Sequence, residues 1–183
     1  MHRLVRLPLN GKTLLFVFGP YRERFPGTYG VRLTEDEQLD LPCDFHFPIR
    51  DFDVPTPQEF QAALIRVIGL AVRGEVPYVG CFGGIGRTGM FAAGIVRVLK
   101  DVDGPDAVRW VRENYLGHAV ETKPQHALIA GFDADAVRAA VGYGAPKKAQ
   151  PKNNLQLTAL WDSFKEAVFG SARRQASDDP RKS

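Results

Sequence analysis

The stretch Val76-Pro77-Tyr78-Val79-Gly80-Cys81-Phe82-Gly83-Gly84-Ile85-Gly86-Arg87-Thr88-Gly89 constrains this chain more than any other. An apolar, strand-like run (Val76 to Val79) leads into Cys81, and an Ala/Val/Ile-rich helical run opens at Arg87-Thr88. Gly83, Gly84 and Gly86, three glycines between the cysteine and the arginine, permit tight backbone geometry without Cβ clashes. Such a loop can turn successive backbone N–H groups inward as an anion cradle. The helix that begins at its end adds unpaired N–H groups and the positive end of its dipole. A cysteine placed there is expected to be a ready nucleophile. Arg87 supplies a planar fork of donors suited to phosphate.

The elements around this stretch indicate the fold class. Leu4 to Leu9 and Thr13 to Phe18 are short apolar runs joined by Asn10-Gly11, a strong hairpin signal. Residues 19–40 carry turn signals at Gly19-Pro20 and Pro26-Gly27 and a polar run from Thr34 to Asp40, and read as loop with room for a short helix. Cys43 to Ile49 alternates as a strand, with Phe45 and Phe47 on one face. After the loop Arg50 to Pro55, Thr56-Pro57-Gln58-Glu59 starts a helix: Thr56 is the N-cap, Pro57 the first helical residue, and Glu59 closes a capping box. Phe60, Leu64, Val67, Ile68 and Ala71 repeat at helical spacing up to Gly74. Pro105 opens another helix, with Val108, Val111 and Tyr115 on its face and Gly117 closing it, and a last helical region spans Lys123 to Val141 with a break near Gly131 to Asp133. Strand, helix, strand, phosphate-type loop and helix in this order imply an α/β fold: a central, mostly parallel sheet flanked by helices, with ligands at the carboxyl ends of strands.

The chain has 183 residues, enough for one domain and a tail. Residues 1–143 form the expected catalytic unit, 144–154 a Gly/Pro/Lys/Asn linker, 155–170 an amphipathic helix bearing Leu157, Leu160, Trp161, Phe164 and Val168, and 171–183 a disordered tail. The net charge of +3 is uneven: residues 144–183 carry eight Lys/Arg against four Asp/Glu, and residues 1–143 sixteen against seventeen. The basic character therefore belongs to the tail, and nucleic acid is not an expected partner. No run reads as a membrane span or signal peptide. Cys43 and Cys81 are too few for a disulfide framework, so a reducing, cytoplasmic setting is expected. The histidines show no metal-ligand spacing, and no metal or cofactor is expected.

Cys81, five residues, then Arg87-Thr88-Gly89 resembles the signature of the cysteine-based protein tyrosine phosphatase superfamily, and the Gly-Gly-x-Gly-Arg form is most similar to its dual-specificity and kinase-associated branches. The alternative is a glycine-rich turn with a structural cysteine. Asp51 lies thirty residues before Cys81, in Pro48-Ile49-Arg50-Asp51-Phe52-Asp53-Val54-Pro55, a segment similar to the general-acid loop of the dual-specificity branch. Asp53 is the competing carboxylate. Ala119 to Gln125 resembles the segment ending in the family's water-orienting glutamine, which matches Gln125; a solvent-facing glutamine behind a Thr122 cap is the other reading. Thr88 matches the hydroxyl that donates to the leaving thiolate, or caps its own backbone.

The resemblance implies a phosphoprotein phosphatase acting through a phosphocysteine. Cys81 is its nucleophile, Asp51 its acid and base, and Gln125 orients its water. Phe82, Gly83, Gly84, Ile85, Gly86 and Arg87 bind phosphate on phosphotyrosine, with phosphoserine and phosphothreonine left open. Phe82 has a second reading, packing under the loop. One departure stands out: Gly80 replaces the family's usual histidine before the cysteine, which should leave the thiolate less favoured and the loop more flexible. A pseudo-phosphatase that binds phosphorylated partners is therefore the alternative from another class, with RNA 5′-phosphate or inositide phosphatase chemistry as a weaker one. The helix over 155–170 either folds back on the domain or docks a partner or an anionic surface.

Overall fold

The computed structural model describes residues 2–22, 28–35 and 41–143. The expected linker, C-terminal helix and tail lie outside the described residues, as does most of the polar run from Thr34 to Asp40. Asn10 and Gly11 both take positive φ (49° and 79°), the requirement of a tight two-residue hairpin turn, and join strands β1 (Arg3–Leu9) and β2 (Lys12–Pro20) in antiparallel register from Arg3↔Phe18 to Leu9↔Lys12.

The region read as loop holds a strand. Tyr29–Thr34 is β3, and it runs parallel to both its neighbours: β4 (Phe45–Ile49) and β5 (Pro77–Cys81). Its pattern was concealed because a strand covered on both faces shows no alternation, while Gly30 and Arg32 interrupt the apolar run that would otherwise mark it. The sheet order is β1-β2-β5-β3-β4, with β5 central and only the β1–β2 pairing antiparallel. The expected α/β sheet is therefore observed, with one more strand than the sequence suggested.

Among the described residues, five helices accompany the sheet: α1 (Pro57–Val72), α2 (Gly86–Lys100), α3 (Gly104–Asn114), α4 (Lys123–Gly131) and α5 (Ala134–Ala140). The last two realise the expected break, and α3 ends three residues before Gly117. α2 is buried from Gly86 to Leu99 apart from Arg97. Phe60 of α1 meets Phe91 of α2 and Phe132 edge-on, with ring centroids 5.7 and 5.4 Å apart. Gly94 permits this close crossing, since a Cβ there would lie 2.7 Å from Phe60. These contacts fix α2, and hence the loop preceding it, against the sheet.

The start of α1 terminates the Asp51 segment. The Thr56 N–H and hydroxyl both donate to Glu59 Oε2 (2.9 and 2.7 Å), and the Glu59 N–H donates to Thr56 Oγ1. The Thr56 side-chain bond, then the backbone bond, holds the Glu59 carboxyl below its ordinary value. A lowered folded-state value stabilises above the unfolded glutamate range and is lost as pH falls through it. Thr56→Ala should cost about 1 kcal/mol at neutral pH in urea unfolding, with the deficit shrinking in acid.

Candidate active site

β5 delivers Cys81 to the carboxyl edge of the sheet, between β2 and β3. The cysteine is buried. Thr88, in the first turn of α2, accepts the Cys81 N–H at its hydroxyl oxygen (2.8 Å) and donates its proton to Cys81 Sγ (3.1 Å). One hydroxyl therefore aligns both the backbone and the sulfur of Cys81. Ile85, at the N-cap of α2, forms no side-chain cap, so the first-turn N–H groups remain available to an anion.

Arg87 is 2% exposed. Its Nη1 donates to the Ile49 carbonyl at the end of β4 (2.9 Å), and its Nη2 pairs with Asp51 Oδ1 (3.0 Å). Its Nε is buried without a partner. The guanidinium thus ties the loop after β4 to the start of α2, with one donor in reserve. Asp51 is exposed and lines the cleft; Asp53 accepts the Val54 N–H (2.8 Å) and does not line it.

Asp51, Cys81, Phe82, Gly83, Ile85, Gly86 and Arg87 share one cleft of about 170 Å³. Thr88 and Gly84 are buried behind it. Phe82 does not pack under the loop: it is 50% exposed, and the Arg22 guanidinium lies 5.2 Å from its ring centroid. A larger groove of about 570 Å³ between α3 and α4, lined by residues such as Val108 and His126, holds no cysteine, serine or threonine, so volume does not locate the chemistry.

Gln125 is fully buried, which removes the solvent-facing reading. Its Oε1 accepts the N–H groups of Glu121 (2.9 Å) and Thr122 (3.3 Å), completing a capping box at the start of α4. Its Nε2 has no partner. The amide packs against Gly86, where an added Cβ would lie 3.0 Å from Nε2 and 2.4 Å from Glu121 Oε2, and the side chain does not itself line the cleft.

Sequence reasoning missed two lining residues. Phe52 is 60% exposed with φ +62°, an unusual conformation for an aromatic residue, and its carbonyl accepts from the Thr122 hydroxyl (3.4 Å). Glu121 lines the cleft beside Gly86. Phe52 had a signal in its place next to Asp51; Glu121 had only its position four residues before Gln125.

No family model matches the chain. The uncharacterized protein MJECL20 of Methanocaldococcus jannaschii is 33% identical over 87 residues, which span 48% of this chain and 57% of that protein, so the match reaches little more than half the relative's length. Among solved structures, Tk-PTP in its active form superimposes with a TM-score of 0.55 at 21% identity, covering 73% of this chain and 96% of that one. A kinase-associated phosphatase with serine in place of its catalytic-site cysteine gives 0.53 at 16% identity, covering 75% and 97%. TpbA of P. aeruginosa, in a complex with pTyr, gives 0.52 at 21% identity, covering 70% and 86%. The fold is that of the cysteine-based phosphatases.

The structure also explains the departure at Gly80. A Cβ there would lie 2.5 Å from the Gly19 carbonyl oxygen and 2.8 Å from the Tyr21 nitrogen, both backbone atoms. The end of β2 occupies the space a side chain would need. His46, His118 and His126 do not line the cleft. His2 is the histidine placed against the segment behind the loop, its Nε2 bonding the Pro20 carbonyl (2.9 Å) and the Tyr78 hydroxyl (3.0 Å). Gly80→His should therefore destabilise the protein by about 1–3 kcal/mol and lower any turnover instead of raising it. A more active variant with unchanged thermal midpoint would contradict this packing.

Proposed function

We propose that the chain is a phosphoprotein phosphatase working through a phosphocysteine, with phosphotyrosine as its favoured substrate. The observation that carries this reading is the convergence of the Thr88-aligned Cys81 sulfur, the buried Arg87 and the exposed carboxylate of Asp51 on one small cleft. The Cys81 thiolate attacks phosphorus while the loop amides and Arg87 hold the equatorial oxygens, where transition-state charge lies. The P–O bond to the leaving group breaks, and Asp51 gives that oxygen its proton. Water then attacks the phosphocysteine and passes a proton to Asp51. The P–S bond breaks, and the electron pair returns to sulfur under the Thr88 hydroxyl. Gln125 Nε2, the part of its amide not committed to the α4 cap, lies behind Gly86, and a small opening of the loop there would let it orient this water.

Phe52 and Phe82, both exposed at the cleft, supply flat apolar walls suited to an aromatic leaving group. This favours phosphotyrosine over the shorter alkyl phosphates of serine and threonine.

Cys81→Ser should abolish turnover of an aryl phosphate, and vanadate should inhibit the parent. Asp51→Asn should lower kcat about 10²- to 10³-fold on phosphotyrosine peptides, and less on esters with good leaving groups. Robust turnover by the Cys81→Ser protein would end the reading. Phe52→Ala and Phe82→Ala should raise KM for aryl phosphates while leaving alkyl phosphates nearly unchanged; equal effects on both classes would remove the case for phosphotyrosine.

A second reading rests on Gly80, the residue before the cysteine where the family usually has histidine. A pseudo-phosphatase would bind phosphopeptides and give no pre-steady-state burst; a burst equal to the enzyme concentration excludes it.

A further inference from the structure

The glycine loop is supported from behind by groups outside the phosphatase motif. Gly84 takes φ +73°, and a Cβ on it would lie 2.5 Å from the Pro20 nitrogen and 2.7 Å from the Gly19 carbonyl carbon. The Gly19-Pro20 segment is itself held in place. Both the Tyr78 hydroxyl (2.5 Å) and His2 Nε2 (2.9 Å) bond the Pro20 carbonyl, and the Tyr21 N–H donates to the Cys81 carbonyl (2.7 Å). One side of the loop therefore rests on a fixed backbone surface.

The other contact is a single side chain. Tyr115 follows the last residue of α3, is 6% exposed, and packs its ring against Phe18 of β2 at 5.8 Å between centroids. Its hydroxyl donates to the carbonyl oxygen of Gly84. That carbonyl and the N–H of Ile85 belong to one peptide unit. In a planar trans peptide the C=O and N–H point in opposite directions, and there is no cis bond among the described residues. Tyr115 is not among the residues lining the cleft, whereas Ile85 is.

We infer that Tyr115 is a positioning residue of the phosphate cradle: its hydroxyl holds the Gly84 carbonyl away from the cleft and so turns the Ile85 N–H into it. The inference rests on the reading of this cleft as a phosphate site. It also gives a physical reason why the loop tolerates glycine at position 80. The orientation of its central peptide is set by a hydroxyl from α3 and by the Gly19-Pro20 backbone, with no side chain before the cysteine. Burial, and then the negative charge of the nearby Cys81, pushes the Tyr115 hydroxyl well above its ordinary value. It therefore keeps its proton and acts as a donor throughout the neutral range. Without it, only the Gly19-Pro20 backbone opposes a flip of the Gly84 peptide, because glycine itself adopts either sign of φ at small cost. A flipped peptide would present a carbonyl oxygen to the phosphate in place of a donor.

Tyr115→Phe removes the hydroxyl and retains the ring against Phe18. The expected result is about a tenfold or larger rise in the inhibition constants of orthovanadate and inorganic phosphate, and a fall of about 10- to 100-fold in kcat/KM on an aryl phosphate. A merely structural role would lower the melting temperature and leave the vanadate constant of the folded variant as in the parent; that outcome overturns the inference. Should the variant fold poorly, the parent decides: titration with inorganic phosphate should shift the Ile85 amide resonance in the ¹H–¹⁵N spectrum, and an unmoved Ile85 amide in a phosphate-saturated parent overturns it. The two readings fail separately. If the parent binds phosphate but turns nothing over, and Tyr115→Phe weakens that binding, the phosphatase reading fails and the positioning role stands. If the parent turns over and the folded variant matches it, the positioning role fails alone. If the parent neither binds phosphate nor turns over, both fail.

Discussion

The close approach of the end of β2 to the end of β5 governs the site. Pro20 pairs with Cys81 in the parallel register, and the same backbone lies so near Gly80 and Gly84 that neither could carry a Cβ without displacement. This contact limits where the loop can go after Cys81. It also fixes the direction in which α2 leaves, because the loop has only Phe82 to Ile85 in which to reverse course. A strand end pressed against its neighbour, followed at once by a buried helix, leaves the first residues of that helix lining the cleft. The anion-binding character proposed for the cleft follows from that placement, before any charged side chain is considered.

Arg87 then joins separate parts of the chain to this frame. Its bonds to the Ile49 carbonyl and the Asp51 carboxylate couple the segment after β4 to the first turn of α2. The segment is fixed at two further points: the Thr56 capping box ends it, and the Phe52 carbonyl accepts from Thr122 at the start of α4. Two helix caps, at α1 and α4, thus control the position of one short loop. Backbone strain at Phe52, with its positive φ, is held by these anchors. Cap residues that look like ordinary helix-start chemistry therefore bear on the geometry of the cleft.

Where local chemistry decided the outcome, the sequence was readable. Asn10-Gly11 has essentially one favourable hairpin turn, and Thr56-Pro57 with Glu59 satisfies helix N–H groups whatever surrounds it. The spacing of Cys81, Arg87 and Thr88 put all three at one strand-to-helix junction. Where long-range packing decided, the sequence was silent. β3 is a strand because β5 and β4 flank it, and Arg32 within it is buried by neighbours that no local window contains. Tyr115 looked like one more apolar residue on a helix face, yet its hydroxyl reaches a loop 31 residues earlier. Phe82 could equally have faced inward or outward; the crowding beneath the loop by Gly19 and Pro20 leaves only the outward place. The assignment of Gln125 changed most. Its Oε1 serves the α4 cap, so only the Nε2 side remains for chemistry.

The Asp51–Arg87 pair poses the last question of balance: whether it blocks the cleft or merely occupies it. Asp51 is 58% exposed, although Arg87 is 2% exposed. A pair with one partner in water contributes about 0–1 kcal/mol, because solvent screens it and the carboxylate loses side-chain freedom in forming it. A phosphate dianion competes for the same guanidinium with two charges and a bidentate fit, and it adds bonds from the loop amides and the α2 N-terminus that Asp51 cannot reach at once. Each charge-assisted hydrogen bond contributes about 1.5–3 kcal/mol. On these magnitudes phosphate displaces the carboxylate readily. In the proposed reaction the displaced Asp51 stays on a loop anchored at Phe52 and Thr56, beside the cleft. Under the proposed function the ion pair is then a resting arrangement that keeps the Asp51 carboxylate beside the cleft and the arginine aligned, and phosphate binding would separate them.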